Sequence, residues 1–250
     1  MTYHIYAPAQ GLATWQAGLA DPVKHWVRGR SAFETAVFWE IGARAQRGLR
    51  KVVADLLDQD ERLKGCAAIA SFPEHCVHLP GGSRPSQNDV WAMLRNTGGL
   101  VSLAVEGKAG ESFDTTIEEW WGTTPSDGKR KRLAYLCDQL GLSADALDVA
   151  NGSVPVALGG LRYQLMHRTA SAVIEADRIG AHAAVMLVLS FQPDPDSKSD
   201  FEKFCVHLNA QPSSNGSSFR RCAAINGMPL FLGWLDLPVC SDADIATVSP

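Results

Sequence analysis

Two runs decide the fold: Ser86-Gln87-Asn88-Asp89-Val90-Trp91-Ala92-Met93-Leu94 and Leu100-Val101-Ser102-Leu103-Ala104-Val105-Glu106-Gly107-Lys108, joined through Asn96-Thr97-Gly98-Gly99. Each run is apolar enough to form a strand, and the Asn/Gly linker has the chemistry of a hairpin turn. Pairing the two brings Asp89, Glu106 and Lys108 toward one end of a sheet. Side chains two apart share a strand face, so Glu106 and Lys108 project together while Gly107 points away. Adjacent carboxylates repel unless a cation sits between them, and oxygen-only ligation suits Mg²⁺ or Mn²⁺. Such an ion polarises a phosphate oxygen and acidifies a bound water, and Lys108 is placed to orient that water or steady developing charge. Ser86 and Gln87, just before Asp89, are candidates for hydrogen bonds to substrate or metal-bound water. On its own the three-residue pattern is weak, because charged triplets of this kind arise by chance.

Toward the N-terminus, residues 66–79 read as a strand broken at Pro73. His75, Cys76 and His78 have no second ligand pair at suitable spacing, which argues against a structural zinc site. Residues 49–64 form an amphipathic pattern ended by Gly65, and residues 32–46 a helix with Phe33, Val37, Phe38 and Ile41 on its apolar face. Ser31 reads as its N-cap, with Glu34 completing a capping box. Glu34 and Glu40 both fall at the borders of the apolar face, and periodicity does not choose between them. Glu40 is a candidate to lean over the sheet; the other reading is an ordinary flanking carboxylate. Residues 1–29 lack a period and read as an irregular arm packing through Trp15 and Trp26.

Toward the C-terminus, Glu111 and Asp114 follow the second run as acids that can line the site or stay solvated. Residues 115–121 suggest a short helix. The run Lys129-Arg130-Lys131-Arg132 opens a further helix, and its four consecutive cations either hold phosphates, with Lys129 and Arg130 as candidates, or form a solvated face. Residues 161–179 carry two stripes: Leu161, Leu165, Ala172, Ala176 and Ile179 to pack, and Gln164, Arg168, Ser171, Glu175 and Arg178 to face solvent or a cleft. His167 and Arg168 are candidates for phosphate contact. A buried strand over 182–191, a loop over 192–199, a helix over 201–208, a mobile stretch over 211–218 and closing strands over 222–239 complete the chain.

The 250 residues allow one substantial domain, with no internal boundary strong enough to split it. A formal net charge of −4 provides no global basic field, so contact with nucleic acid depends on local cations. The six cysteines, none in a C-x-x-C pair, fit buried free thiols in a reducing cytoplasm. No signal peptide is apparent, and the longest apolar run, residues 181–191, is too short to span a bilayer, so membrane association is not expected.

Glu40 on a helix, three strands, a helix bearing Gln164 and a further strand give the order α-β-β-β-α-β. That order and those residues resemble the PD-(D/E)XK nuclease superfamily, whose restriction-endonuclease-like core is a small mixed α/β sheet flanked by helices. Asn88-Asp89 stands where that superfamily has Pro-Asp, Glu106-x-Lys108 matches its Glu-x-Lys, and Glu40 matches its first-helix acid. Pro85-Ser86-Gln87-Asn88-Asp89, Val105-Glu106-Gly107-Lys108, Ile117-Glu118-Glu119-Trp120 and the run from Arg162 to Thr169 are similar to an uncharacterised bacterial family related to these nucleases. The resemblance spans about residues 31–191, leaving an N-terminal arm (1–30) and a C-terminal extension (192–250). It implies a Mg²⁺- or Mn²⁺-dependent nuclease acting on DNA. Asp89 and Glu106 would be metal ligands, Lys108 the water-orienting cation, Glu40 a further acid, and Gln164, His167 and Arg168 supporting groups. A homodimer is compatible with this reading. Two alternatives stay open: a non-catalytic nuclease-like scaffold that binds a protein or nucleic acid, and a hydrolase for a smaller phosphate-containing substrate.

Overall fold

The two opening runs form an antiparallel hairpin in a computed structural model of the chain, which describes residues 11–19, 21–213, 216–225 and 227–248. The strands are β1 (Ala67–Val77), β2 (Ser86–Asn96), β3 (Gly99–Lys108), β4 (Ala183–Ser190), β5 (Gln211–Ser213), β6 (Gly216–Arg221) and β7 (Leu230–Asp236). Among the described residues they make one seven-stranded mixed sheet in the order β1-β2-β3-β4-β7-β6-β5. β1 to β3 are antiparallel neighbours, with Val90 opposite Val105 and Asn96 opposite Gly99 at the turn. β3, β4 and β7 run parallel to one another, and Lys108 lies opposite Ser190.

Alternation along β3 divides two cores. Val101, Leu103 and Val105 pack with α1 (Leu12–Gly18), α2 (Ser31–Ala43), α3 (Lys51–Leu57) and α10 (Asp242–Val248). On the opposite face, Ala104 shares a core with α4 (Ile117–Trp121), α5 (Asp127–Gln139), α6 (Ser143–Ala150), α7 (Val156–Gly159), α8 (Tyr163–Arg178) and α9 (Pro195–His207). β4, buried along all eight residues, separates the two helical layers. A strand covered on both faces reads as a continuous apolar run, as residues 183–189 do.

Several expectations need correction. The arm contains a helix, α1, whose Trp15 is buried; residues 1–10 of the expected irregular segment lie outside the described residues. Glu34 closes no capping box. Its carboxylate accepts N–H bonds from Gly29 and, across the chain, from Cys240. The helix expected over 49–64 stops at Leu57, because Asp58 takes the Arg47 guanidinium and the Gly65 N–H and ties residues 58–65 into turns. Pro73 does not break β1; it sits opposite Val90, tolerated because β1 is the sheet's edge. The stretch expected to be mobile supplies β5 and the start of β6, with residues 214–215 outside the described set. α9 begins at Pro195, inside the expected loop, because Asp194 caps it through the Ser197 N–H. All six cysteines are free, and Cys76 is exposed rather than buried. Among the described residues no helix is long and apolar enough to cross a membrane.

Candidate functional site

Glu106 and Lys108 reach the carboxyl end of β3, where a parallel sheet commonly presents its ligand site. Their shared face meets the first two turns of α8. Glu106, 2% exposed, is gripped on both oxygens. Oε1 accepts from Gln164 Nε2 at 2.6 Å and lies 3.1 Å from Lys108 Nζ; Oε2 accepts from Arg168 Nε at 2.6 Å. Lys108 Nζ also donates to Gln164 Oε1 at 2.9 Å and stands 5.0 Å over the Phe113 ring. Burial would raise the Glu106 pKa, but the Arg168 and Lys108 charges outweigh it and hold the carboxyl below its usual range.

Asp89 and Glu74 share the cavity with this cluster, and their electrostatics run the other way. Asp89 Oδ2 accepts the Gly107 N–H at 2.7 Å, which ties β2 to the residue between Glu106 and Lys108. Burial, then the negative charges of Glu106 and Glu74, push the Asp89 carboxyl well above its usual value, against a smaller pull from Arg168. Glu74 is pushed up to about 7, first by burial and also by Glu106, while a hydrogen bond from Gln87 acts against the rise. Gln87 Nε2 donates to Glu74 Oε2 at 2.6 Å. Glu74 has φ 53°, in the left-handed region that a non-glycine residue adopts at a cost. The cavity encloses about 390 Å³, and its wall includes Glu74, Gln87, Asp89, Glu106, Lys108, Glu111, Gln164 and Arg168.

Of the residues singled out by sequence, Asp89, Glu106, Lys108, Gln164, Arg168 and Gln87 are brought together. Ser86 and His167 stand behind them. Ser86 Oγ is 2.8 Å from His167 Nδ1 and accepts from Arg168 Nη1 at 3.2 Å, so it steadies the guanidinium rather than facing the cavity. Burial, then the Arg168 charge, depress the His167 pKa well below its usual value, leaving a neutral ring and no counter-charge for phosphate. Glu40 does not line the cavity: it is buried within α2 and accepts the Trp15 indole N–H at 2.9 Å.

Lys129 and Arg130 also lie away from the cavity. Lys129 Nζ donates to the carbonyls of Trp120 and Trp121 at the end of α4, and Arg130 packs beside Gly152. The expected polar stripe of α8 faces the sheet: past Arg168, Glu175 is buried 3.2 Å from His75. Sequence reading missed Glu74 and the basic residues Lys24, His25 and Arg30, which line the mouth from the arm. The signal from the arm was four basic residues, Lys24, His25, Arg28 and Arg30, within seven positions just before a helix.

Among the described residues no three His, Cys, Asp or Glu side chains converge as a metal cage. A cage is not required of Mg²⁺, which commonly takes one or two carboxylates and completes its shell with water and substrate phosphate. Asp89 fits such an ion, being a carboxylate crowded by like charge and, among the described residues, bonded to no cationic side chain. To act as the second ligand, Glu106 would have to give up one of the bonds now made to its oxygens by Gln164, Lys108 and Arg168.

Fold and site together define an α/β protein whose mixed sheet carries a buried cluster of Glu106, Lys108 and Arg168 at the carboxyl end of β3. The chain belongs to the family described as Domain of unknown function (DUF6946), which matches residues 8–238. No curated protein and no solved structure matches it.

Proposed function

We propose that the protein is a Mg²⁺- or Mn²⁺-dependent phosphodiester hydrolase with a restriction-endonuclease-like core, acting on nucleic acid and first of all on DNA. The observation that carries this reading is the shared cavity: Glu106, fixed between Lys108, Gln164 and Arg168, beside Asp89, a carboxyl crowded by the negative charges of Glu106 and Glu74. The order α2, β1, β2, β3, α8, β4, with α3 inserted after α2 and α4 to α7 before α8, supports the core assignment. Asp89 and Glu106 would hold the ion, which when bound supplies Lewis acidity toward a phosphate oxygen and a more acidic water. Lys108 is held by Gln164 and Glu106 with a further N–H to give to a phosphate oxygen or the attacking water. Arg168, itself steadied by Ser86, fixes the Glu106 carboxylate. Glu74, with its pKa raised to about 7, is suited to take a proton from water near neutral pH.

Incubating the purified protein with plasmid DNA, single-stranded DNA and RNA in Mg²⁺, Mn²⁺ or EDTA tests the reading. Cleavage is expected with metal and not in EDTA, and Lys108→Met should slow it by about 10²-fold or more, the usual loss on removing an aimed donor. No cleavage of any substrate, or unimpaired cleavage by Lys108→Met, would falsify the assignment.

A second reading, a non-catalytic nuclease-like binding protein, is favoured by one observation: protein groups already engage both Glu106 oxygens, as in a structural ion network. Calorimetry with Mn²⁺ separates the two. The hydrolase binds the ion and loses binding in Asp89→Asn, whereas the binding protein takes up no metal.

A further inference from the structure

We propose that the arm entering α2 is the phosphate-binding lip of this cavity, and that the polymer it receives is single-stranded nucleic acid; the inference rests on the phosphodiester-hydrolase reading above. Lys24, His25 and Arg30 all line the cavity mouth and are exposed, whereas Glu106 within is almost fully buried. Among the described residues none of the three makes an ion pair, while the inner cations Lys108 and Arg168 are engaged by Glu106. Two neighbouring arginines are paired with acids, Arg28 with Asp242 and Arg50 with Asp244. Among the described residues, basic side chains outside any ion pair therefore stand at the entrance to the site, with Asp21 close enough to act on Lys24 and His25.

The arm is built to hold those charges in place. Asp21 Oδ1 accepts the Val23 and Lys24 N–H groups, Arg30 N–H donates to the Val27 carbonyl, and Trp26 packs edge-on against Phe33 of α2 at 5.2 Å. Ser31 and Ala32 of the first α2 turn line the same mouth, and the buried Glu34 carboxylate of that turn holds the Gly29 N–H and so fixes where the arm enters the helix.

Size and charge select the form of the substrate. A cavity of about 390 Å³ sits at the small end of the roughly 300–1,000 Å³ range of ligand pockets. It has room for about one nucleotide unit, which a flexible single strand can lay into it without a second strand to be accommodated. With a net charge of −4 the chain has no surplus of basic residues with which to track both backbones of a double helix. A single strand can place one phosphate beside Lys108 while its neighbours meet Lys24, His25 and Arg30.

The test is fluorescence anisotropy with labelled strands of about 12 nucleotides, DNA and RNA, and the matching DNA duplex, in Ca²⁺ buffer between about 50 and 200 mM salt. Wild type should bind single strands more tightly than duplex. The double substitution Lys24→Ala with Arg30→Ala should weaken single-strand binding about tenfold at low salt. It should also flatten the plot of log affinity against log salt by about 1.4, two phosphates at ~0.7 each. The control pair Lys129→Ala with Arg130→Ala should bind like wild type, and both exposed lip substitutions should leave the unfolding temperature unchanged. Unaltered affinity and slope in the lip variant, loss in the control instead, or preference for duplex would each overturn the lip. If wild type hydrolyses bis(p-nitrophenyl) phosphate with Mn²⁺ yet binds no strand, the lip fails and the hydrolase reading stands. If strands bind through the lip and nothing is cleaved, the reverse holds.

Discussion

At the scale of single residues, the fold makes the ionised form of Asp89 costly. The raised Asp89 pKa means that the native state binds its proton more tightly than the unfolded chain does. Stability from this group is fully present below the unfolded value of 3.8 and is lost as pH rises through the folded one. Asp89→Asn should therefore raise the unfolding temperature at pH 8, by an amount equivalent to about 1–2 kcal/mol, and change it little at pH 4. Added Mn²⁺ should raise the wild-type temperature and leave the variant's where it was, because only a native site that binds the ion gains by mass action. Thermal unfolding at both pH values, with and without Mn²⁺, reads both outcomes. His167 has the opposite sign: its depressed pKa leaves stability intact above about 6.5 and removes it as pH falls toward the folded value. His167→Gln should flatten the acid-side loss of stability in a pH series of denaturant titrations. For Glu74 the readout is activity, since a base with a pKa of about 7 sets the acid limb of the kcat/KM profile, and Glu74→Gln should abolish or move that limb.

At the scale of elements, the hairpin was legible because its information is local: an Asn/Gly turn between apolar runs sets register, and register sets which residues meet. The polar edge of α8 was legible as a stripe, but its direction was not. Arg168 and Glu175 find their partners at Glu106 and His75, which no helical period reveals. α2 misled for a similar reason. It is buried nearly all round, so neither flank of its apolar face is a solvent flank, and Glu34 bonds to Cys240, 206 residues away. The junction of α2 with β3 is a close approach that glycine permits. A Cβ on Gly107 would lie 2.0 Å from Thr35 Oγ1 and 3.3 Å from Asp89 Oδ2. Gly107→Ala should cost about 1–3 kcal/mol, the usual range for overpacking, and displace Asp89. Among the described residues the buried Thr35 Oγ1 has no hydrogen-bond partner, so Thr35→Ala removes the obstacle without breaking a bond seen there. Denaturant unfolding of both single variants and the double should show the pair costing less than the sum; strict additivity would refute the contact.

At the scale of the whole molecule, the six-element order visible in the sequence understates how far the sheet extends. The segment read as a C-terminal extension, residues 192–250, supplies β7 in parallel register with β4, Leu187 opposite Gly233, and then β6 and β5 beyond it. These pairings are distant in sequence and the strands are short, so periodicity gives them little weight. Their packing is nevertheless central. Phe201, Phe204 and Trp234 are buried in the core with α8, and Phe219 and Phe231 stack at 5.5 Å in the core with α2 and α3. Each large aromatic lost from a core costs about 3–5 kcal/mol, and whole domains are stable by only about 5–15 kcal/mol. A chain ending at residue 191 should therefore fail to fold, although it retains Asp89, Glu106, Lys108 and α8. Its unfolding should show no cooperative transition by circular dichroism, and it should bind a hydrophobic dye where the full chain does not, since the β4 edge and both cores would lie open. Cooperative unfolding of that fragment would show instead that residues 31–191 are self-sufficient and that β5 to β7 merely decorate them.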